Sequence, residues 1–296
     1  MREKKSMNRL FRNESGEIRD IWIVLLILIA LLAVIILSRT ITILIADVLY
    51  MGHGLSPDQA LEQAKTLTIE TLEWRTFSEA FVFFGSLIVV FFLLTRVDKQ
   101  QVTWGALGLA WKSNSIFMLG GGLLFYSGLF FMALGLGTLR GAIQPTGSTS
   151  AFSITGMLLA FVWCTFNAFW QELVFRAYLQ TRLIQHHGIT LGIFLATVIF
   201  VLIHVLDRPL TLAEFFTGCT IFLLIGLLYH ITGSLFLVGG MHTAGNLLLM
   251  LLDTLGVTEP HDLDMFIVFA VALVVVLFLA RSRLQDEAHS VFSEKT

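Results

Sequence analysis

Between Phe215 and Leu252 the chain runs for 38 residues without one Asp, Glu, Lys or Arg. In hydrocarbon every backbone N–H and C=O must be satisfied internally, so helices and closed barrels are the structures that can span a bilayer. A bilayer core about 30 Å thick is crossed by about 20 helical residues. The run is too long for one crossing and predicts two helices, broken near Thr232-Gly233-Ser234. Residues 21–38, 80–95, 115–139 and 265–280 predict one crossing each. The uncharged stretch from Gly141 to Gln171 predicts a loop marked by Pro145 and Gly147, then a helix running through Glu172. A further span from about Leu191 to Leu206 ends at Asp207-Arg208-Pro209. The expected fold is all-α: a polytopic transmembrane helical bundle of about eight helices.

Composition agrees. Of 296 residues, 56% are hydrophobic and 14% charged, whereas soluble domains carry about a quarter of their residues as charges. A net charge of -2 with no strongly basic run argues against a nucleic-acid partner. The two cysteines, Cys164 and Cys219, lie inside apolar runs, which excludes a disulfide framework or a cysteine-based metal cluster.

Short cytoplasmic loops are enriched in Lys and Arg. A model with both termini cytoplasmic places 13 of the 19 basic residues inside, six of them within residues 1–19. Asp253 to Asp264 holds four acidic residues and no basic one, as an external loop would. The expected organisation is a cytoplasmic segment (1–20), an N-terminal transmembrane region (21–149), a core (150–252), and a last helix with a cytoplasmic tail (253–296). No small-residue cleavage site follows the first apolar run, so it reads as a retained anchor. Residues 55–78 alternate apolar and charged positions at helical spacing and predict either an amphipathic helix at the external surface or a solvated helical hairpin cap. Gly120, Gly121, Gly122 and Gly128 predict close helix packing.

Polar side chains inside spans are expensive and are functional candidates by default. Trp170-Gln171-Glu172-Leu173-Val174-Phe175-Arg176 sets Glu172 four residues before Arg176, the favourable order for an ion pair. Phe200 to His204 (FVLIH) places an imidazole late in an apolar span, and His242 to Asn246 (HTAGN) puts two polar groups on one helix face. Each alone has a bland reading as an interface pair, a packing residue or an interhelical hydrogen bond. Together they make a plausible hydrolytic constellation. His186, His187 and His230 have no carboxylate or cysteine at ligand spacing and read as surface histidines.

The segments QELVFRAYL, FVLIH and TGSLFLVGGMHTAGN resemble the three signatures of the CPBP intramembrane protease family, the CAAX protease or Abi family, whose pattern is EExxxR, FxxxH and HxxxN or HxxxD. The resemblance covers roughly residues 150–252. It implies intramembrane peptide-bond cleavage in which a Glu and a His activate water. His204 would assist that water, His242 and Asn246 would stabilise the developing oxyanion, and Arg176 would brace its helix by pairing with Glu172. It also implies a multi-pass protein of the cell membrane, such as a bacterial inner membrane. The partners would be membrane lipids and a peptide or a prenylated or membrane-anchored protein substrate.

One position departs from the pattern. The first Glu of EExxxR is Gln171 here, and a carboxamide cannot serve as a general base. Adjacent helix residues point about 100° apart, so Glu172 does not simply take its place. Either Glu172 turns into the site, or the chain is a catalytically silent scaffold or immunity factor, a reading that the amide of Asn167 one turn earlier mildly favours. A transporter ranks behind both. No cofactor is expected, the alternative being a single divalent metal such as zinc on Glu172, His204 and His242.

Overall fold

The computed structural model describes residues 18–144, 153–206 and 209–293, with side chains as far as residue 281. The Pro145 and Gly147 loop, Asp207-Arg208 and most of the charged N-terminal segment lie outside the described residues. The helices are α1 (Asp20–Gly52), α2 (Pro57–Glu70), α3 (Leu72–Phe92), α4 (Ser115–Leu139), α5 (Ile154–Glu172), α6 (Thr181–His187), α7 (Ile189–Ile203), α8 (Leu212–Thr232), α9 (Leu235–Leu255) and α10 (Asp262–Ser293). Among the described residues there is no strand, and eight helical stretches are long and apolar enough to cross a membrane. The expected all-helical, multi-pass architecture is what the chain forms.

The chain divides into two compact units, Met1–Thr103 with Ser153–Val174, and Trp104–Phe152 with Phe175–Thr296. In the first, α1 packs on α2 and α3, and α3 packs on α5. The Ser38 hydroxyl of α1 donates to the Ser78 carbonyl of α3 at 2.6 Å. Helix α1 is 33 residues long, about 50 Å at the helical rise, and so outruns the 21–38 span. The segment 55–78 is not one helix. Pro57 at the first turn and the Ser56–Gln59 capping pair start α2, and Thr71 adopts an extended conformation (φ -97, ψ 139) that ends it. The remainder of the segment begins the membrane helix α3.

In the second unit α4 packs on α9 and α10, α8 on α7, α9 and α10, and α6 on α7. The α4–α9 crossing is close because each helix offers a glycine to the other's backbone. A Cβ at Gly122 would meet the Leu237 carbonyl oxygen, and one at Gly240 would meet the Leu119 carbonyl oxygen. Gly120, Gly121 and Gly128 face open space, so only Gly122 of those four glycines serves the close packing expected of them. The turn between α8 and α9 falls at the expected place: Gly233 is left-handed (φ +60), and the Ser234 hydroxyl accepts from the Leu237 N–H. Across the unit, Arg140 pairs with Asp264 at 2.6 Å.

From Leu173 to Gln180 the backbone is π-helical, between α5 and α6. Every residue from Glu172 to Gln180 is buried. A helix buried all round has no amphipathic stripe, and π-turns recur at functional sites.

Candidate active site

In the second unit His204, His242 and Asn246 line one cavity of about 270 Å³. They come from two motifs 38 residues apart. His204 stands where α7 tightens into a 3₁₀ turn, His204–Leu206. Its Nδ1 lies 2.9 Å from the Phe200 carbonyl oxygen. A carbonyl only accepts, so Nδ1 carries the hydrogen, and the Nε2 of a neutral ring is left as an acceptor. His242 and Asn246 are one turn apart on α9, hence on one face. Tyr126 of α4 lines the same cavity, its hydroxyl 3.0 Å from where a Cβ on Gly245 would sit.

Two phenylalanines hold the imidazoles. Phe200 is edge-on to His204 (4.9 Å between centroids), to His242 (5.9 Å) and to Phe222 (4.3 Å). Phe222 lies 5.3 Å from His242. The fully buried Arg176 sets its guanidinium 5.3 Å from the Phe200 ring and 5.7 Å from the Phe222 ring, within cation–π range. It also donates to Gln180 Oε1 at 3.4 Å, and Gln180 donates to the Gly226 carbonyl at 2.9 Å. Within this unit the arginine of the first motif and the histidines of the other two thus meet on the same pair of rings. Phe222 carries no polar signal, and the sequence does not single it out.

Three carboxylates that the motifs do not mark, Glu214, Glu259 and Asp262, also line the cavity. Glu214 accepts from the Thr211 N–H at 2.7 Å while its own N–H donates to the Thr211 hydroxyl, a capping box that starts α8. The Asp262 carbonyl accepts from the Thr217 hydroxyl at 3.1 Å. In the sequence these residues show only as a helix end and an acidic loop.

Gln171 and Glu172 belong to the first unit. Glu172 is fully buried. Gln171 donates through Nε2 to Asn167 Oδ1 at 3.1 Å, Asn167 donates to Glu79 Oε1 at 3.4 Å, and the Trp170 indole N–H donates to Glu79 Oε2 at 3.1 Å. Asn167, Trp170 and Gln171 stand at i, i+3 and i+4, one face of α5, turned to Glu79 on α3. Glu79 borders a cavity of about 420 Å³ in this unit with Arg39, Thr42, Thr68, Arg75 and Ser78. Arg75 lies 4.3 Å over the Trp163 ring. Glu79 escapes a sequence scan because it sits one residue before the charge-free run 80–95 and reads as its flank.

Among the described residues no group of three His, Cys, Asp or Glu is placed to hold a metal ion. No curated protein and no solved structure matches the chain. A family model does: residues 152–248 match the type II CAAX prenyl endopeptidase Rce1-like family. That stretch contains all three motifs, with His204, His242 and Asn246 around one cavity. Over residues 152–248 the chain is thus similar to the CPBP/CAAX protease family, a family of intramembrane endopeptidases.

Proposed function

We propose that this protein cleaves a peptide bond of a prenylated or membrane-anchored substrate within the membrane. Glu172 and His204 activate the water. The bond of His204 Nδ1 to the Phe200 carbonyl supports its part, because it makes Nε2 of a neutral ring an acceptor, the kind of nitrogen that can take a proton from water. His242 and Asn246 donate to the oxyanion, where donors in a water-poor cavity are most effective. Arg176 braces the motif helix and pairs with Glu172, and Gln171 supports that helix through its bond to Asn167. The observation that carries this reading is the joint lining of one cavity by residues of the second and third motifs inside the matched family segment.

The experiment is cleavage of a prenylated CAAX peptide, beside a mixed peptide library, by the purified and reconstituted protein. Glu172→Ala, His204→Ala and His242→Ala should each lower kcat about 100-fold or more, with and without chelator. Unchanged cleavage by Glu172→Ala sinks the assignment, and chelator sensitivity would require a metal.

A second reading rests on Gln171, whose amide is hydrogen-bonded where the family motif has a carboxylate. In that reading the chain is a silent scaffold that binds a peptide. It predicts no cleavage by the parent protein and gain of cleavage in Gln171→Glu.

A further inference from the structure

The cavity of the first unit has no part in the cleavage chemistry proposed above. It measures about 420 Å³, within the range of small-molecule pockets, and its charged lining is Arg39 of α1 with Arg75 and Glu79 of α3. We propose that it binds the phosphodiester of an anionic phospholipid, with both guanidiniums on the phosphate and the headgroup hydroxyls on the oxygens around them. The inference does not depend on the protease reading, because every residue of this cavity belongs to the first unit.

The charge of the lining sets the sign of the ligand. Two guanidiniums and one carboxylate leave one positive charge in excess, which a phosphodiester, a monoanion, would neutralise. Glu79 takes its bonds from Asn167 and Trp170 of α5, and among the described residues neither Arg39 nor Arg75 forms an ion pair. Charges within membrane helices are as a rule paired, so two arginines at one cavity call for an anion. Arg75 holds its guanidinium 4.3 Å over the Trp163 ring, a contact that orients the group and leaves its edge N–H donors for a phosphate fork. An arginine that only reaches for the interface would need neither a second arginine beside it nor an indole to hold it.

The hydroxyls select what accompanies the phosphate. Thr42 Oγ1 donates to the Ser38 carbonyl at 2.9 Å, and Thr68 Oγ1 donates to the Lys65 carbonyl at 3.1 Å. The Ser38 hydroxyl gives its hydrogen to the Ser78 carbonyl, so at 3.1 Å between the two hydroxyls it is Ser78 that donates to Ser38 Oγ. With those hydrogens committed, Thr42, Thr68 and Ser78 offer the cavity acceptor oxygens alone, as Glu79 does. The arginines are then the donors for the anion. A headgroup that bears hydroxyls, as phosphatidylglycerol does, supplies the donors that the oxygens need, whereas the trimethylammonium of phosphatidylcholine has none.

The depth of the cavity fits a headgroup. Arg39 directly follows the charge-free run 21–38, and Glu79 directly precedes the run 80–95. Helices α1 and α3 are antiparallel, with Ser38 against Ser78 and Gly85 against Val34. The two apolar runs therefore end at one level, where hydrocarbon gives way to headgroups, and basic pockets between membrane helices are known takers of lipid phosphates.

The test uses the full-length protein, purified in a neutral detergent and stripped of lipid, with binding read from the shift of thermal unfolding across a lipid titration. Phosphatidylglycerol should raise the unfolding temperature of the parent in a saturable way, and phosphatidylcholine should not. Arg39→Gln and Arg75→Gln should each weaken phosphatidylglycerol binding about tenfold, the scale of one charge-assisted bond to phosphate. Arg39 is exposed, so its variant should keep the fold even where Arg75→Gln does not. Arg281→Gln, at an exposed position of the second unit, should bind as the parent does. Glycerol 3-phosphate, which offers phosphate and hydroxyls without acyl chains, should not compete at equal concentration. Equal shifts with the two lipids, no shift with phosphatidylglycerol, or parent-like binding by Arg39→Gln overturns the inference. Competition by glycerol 3-phosphate as strong as the lipid's overturns it too, and would make this a site for a free phosphate.

Discussion

The α4–α9 crossing allows a prediction whose control lies in the same helix. Gly122→Ala adds a Cβ that would meet the Leu237 carbonyl oxygen and stand 3.0 Å from the Met241 backbone nitrogen. These are backbone atoms, and no rotamer change can clear them. Helices α4 and α9 must separate or tilt, and forced overpacking costs about 1–3 kcal/mol. Replacing Gly by Ala in a helix interior returns about 1 kcal/mol. Gly121→Ala gains that same propensity term but meets nothing within 4 Å, so the difference between the two variants isolates the crossing. We expect Gly122→Ala to be less stable than Gly121→Ala by about 1–3 kcal/mol, measured by denaturant or thermal unfolding of the purified protein in one detergent. Met241 directly precedes His242, so cleavage should fall in Gly122→Ala and not in Gly121→Ala. Equal unfolding midpoints for the two variants would refute the reasoning. Gly240→Ala, which strikes the Leu119 carbonyl in the same crossing, should resemble Gly122→Ala, and the double variant should be less than additive because both act on one helix pair.

Arg140→Ala should cost about 2 kcal/mol, the scale of a hydrogen bond to a charged group, because Asp264 is buried and loses the partner held at 2.6 Å; unfolding equal to the parent's would show that this pair contributes nothing. Asn246→Ala should lower kcat about 100-fold, the usual effect of deleting one oxyanion donor, while KM changes little; a change confined to KM would make Asn246 a substrate-binding group instead. Thr211→Ala removes the hydroxyl that accepts from the Glu214 N–H and should destabilise by about 1 kcal/mol, detectable by the same unfolding assay; no shift would mean that this cap contributes nothing to stability.

Much of the fold is legible because the bilayer acts through composition. The 115–139 span coincides with α4, and the break at Thr232-Gly233-Ser234 coincides with the α8–α9 turn. The misjudged boundaries are those where hydrocarbon stops constraining the chain. Helix α1 continues past Arg39 and Asp47 to Gly52, because a charge limits how deep a helix can sit and does not interrupt its hydrogen bonds. The amphipathic segment 55–78 hides a break at Thr71, since its periodicity hardly changes across one extended residue. The motif residues of the second unit are legible as well: His204, His242 and Asn246 are polar groups in apolar spans, and the structure assembles them. Glu79, Glu214, Glu259 and Asp262 are not, because each stands at the edge of a span or in a loop, where acidic residues are ordinary.

The sequence by itself determined that the chain is a helical membrane protein, about how many of its stretches are long and apolar enough to cross, and which three motifs carry polar groups into them. Hydropathy and helical periodicity are local properties, summed over about 20 residues, and they need no partner to act. What the tertiary structure decided is which distant residues meet. It put Phe222 against both histidines, fitted α4 to α9 through two glycines, and brought Glu79 to the Asn167 amide and the Trp170 indole just before the first motif, 88 residues from Asn167. Those meetings depend on the packing of helices far apart in the chain, and no local pattern specifies them.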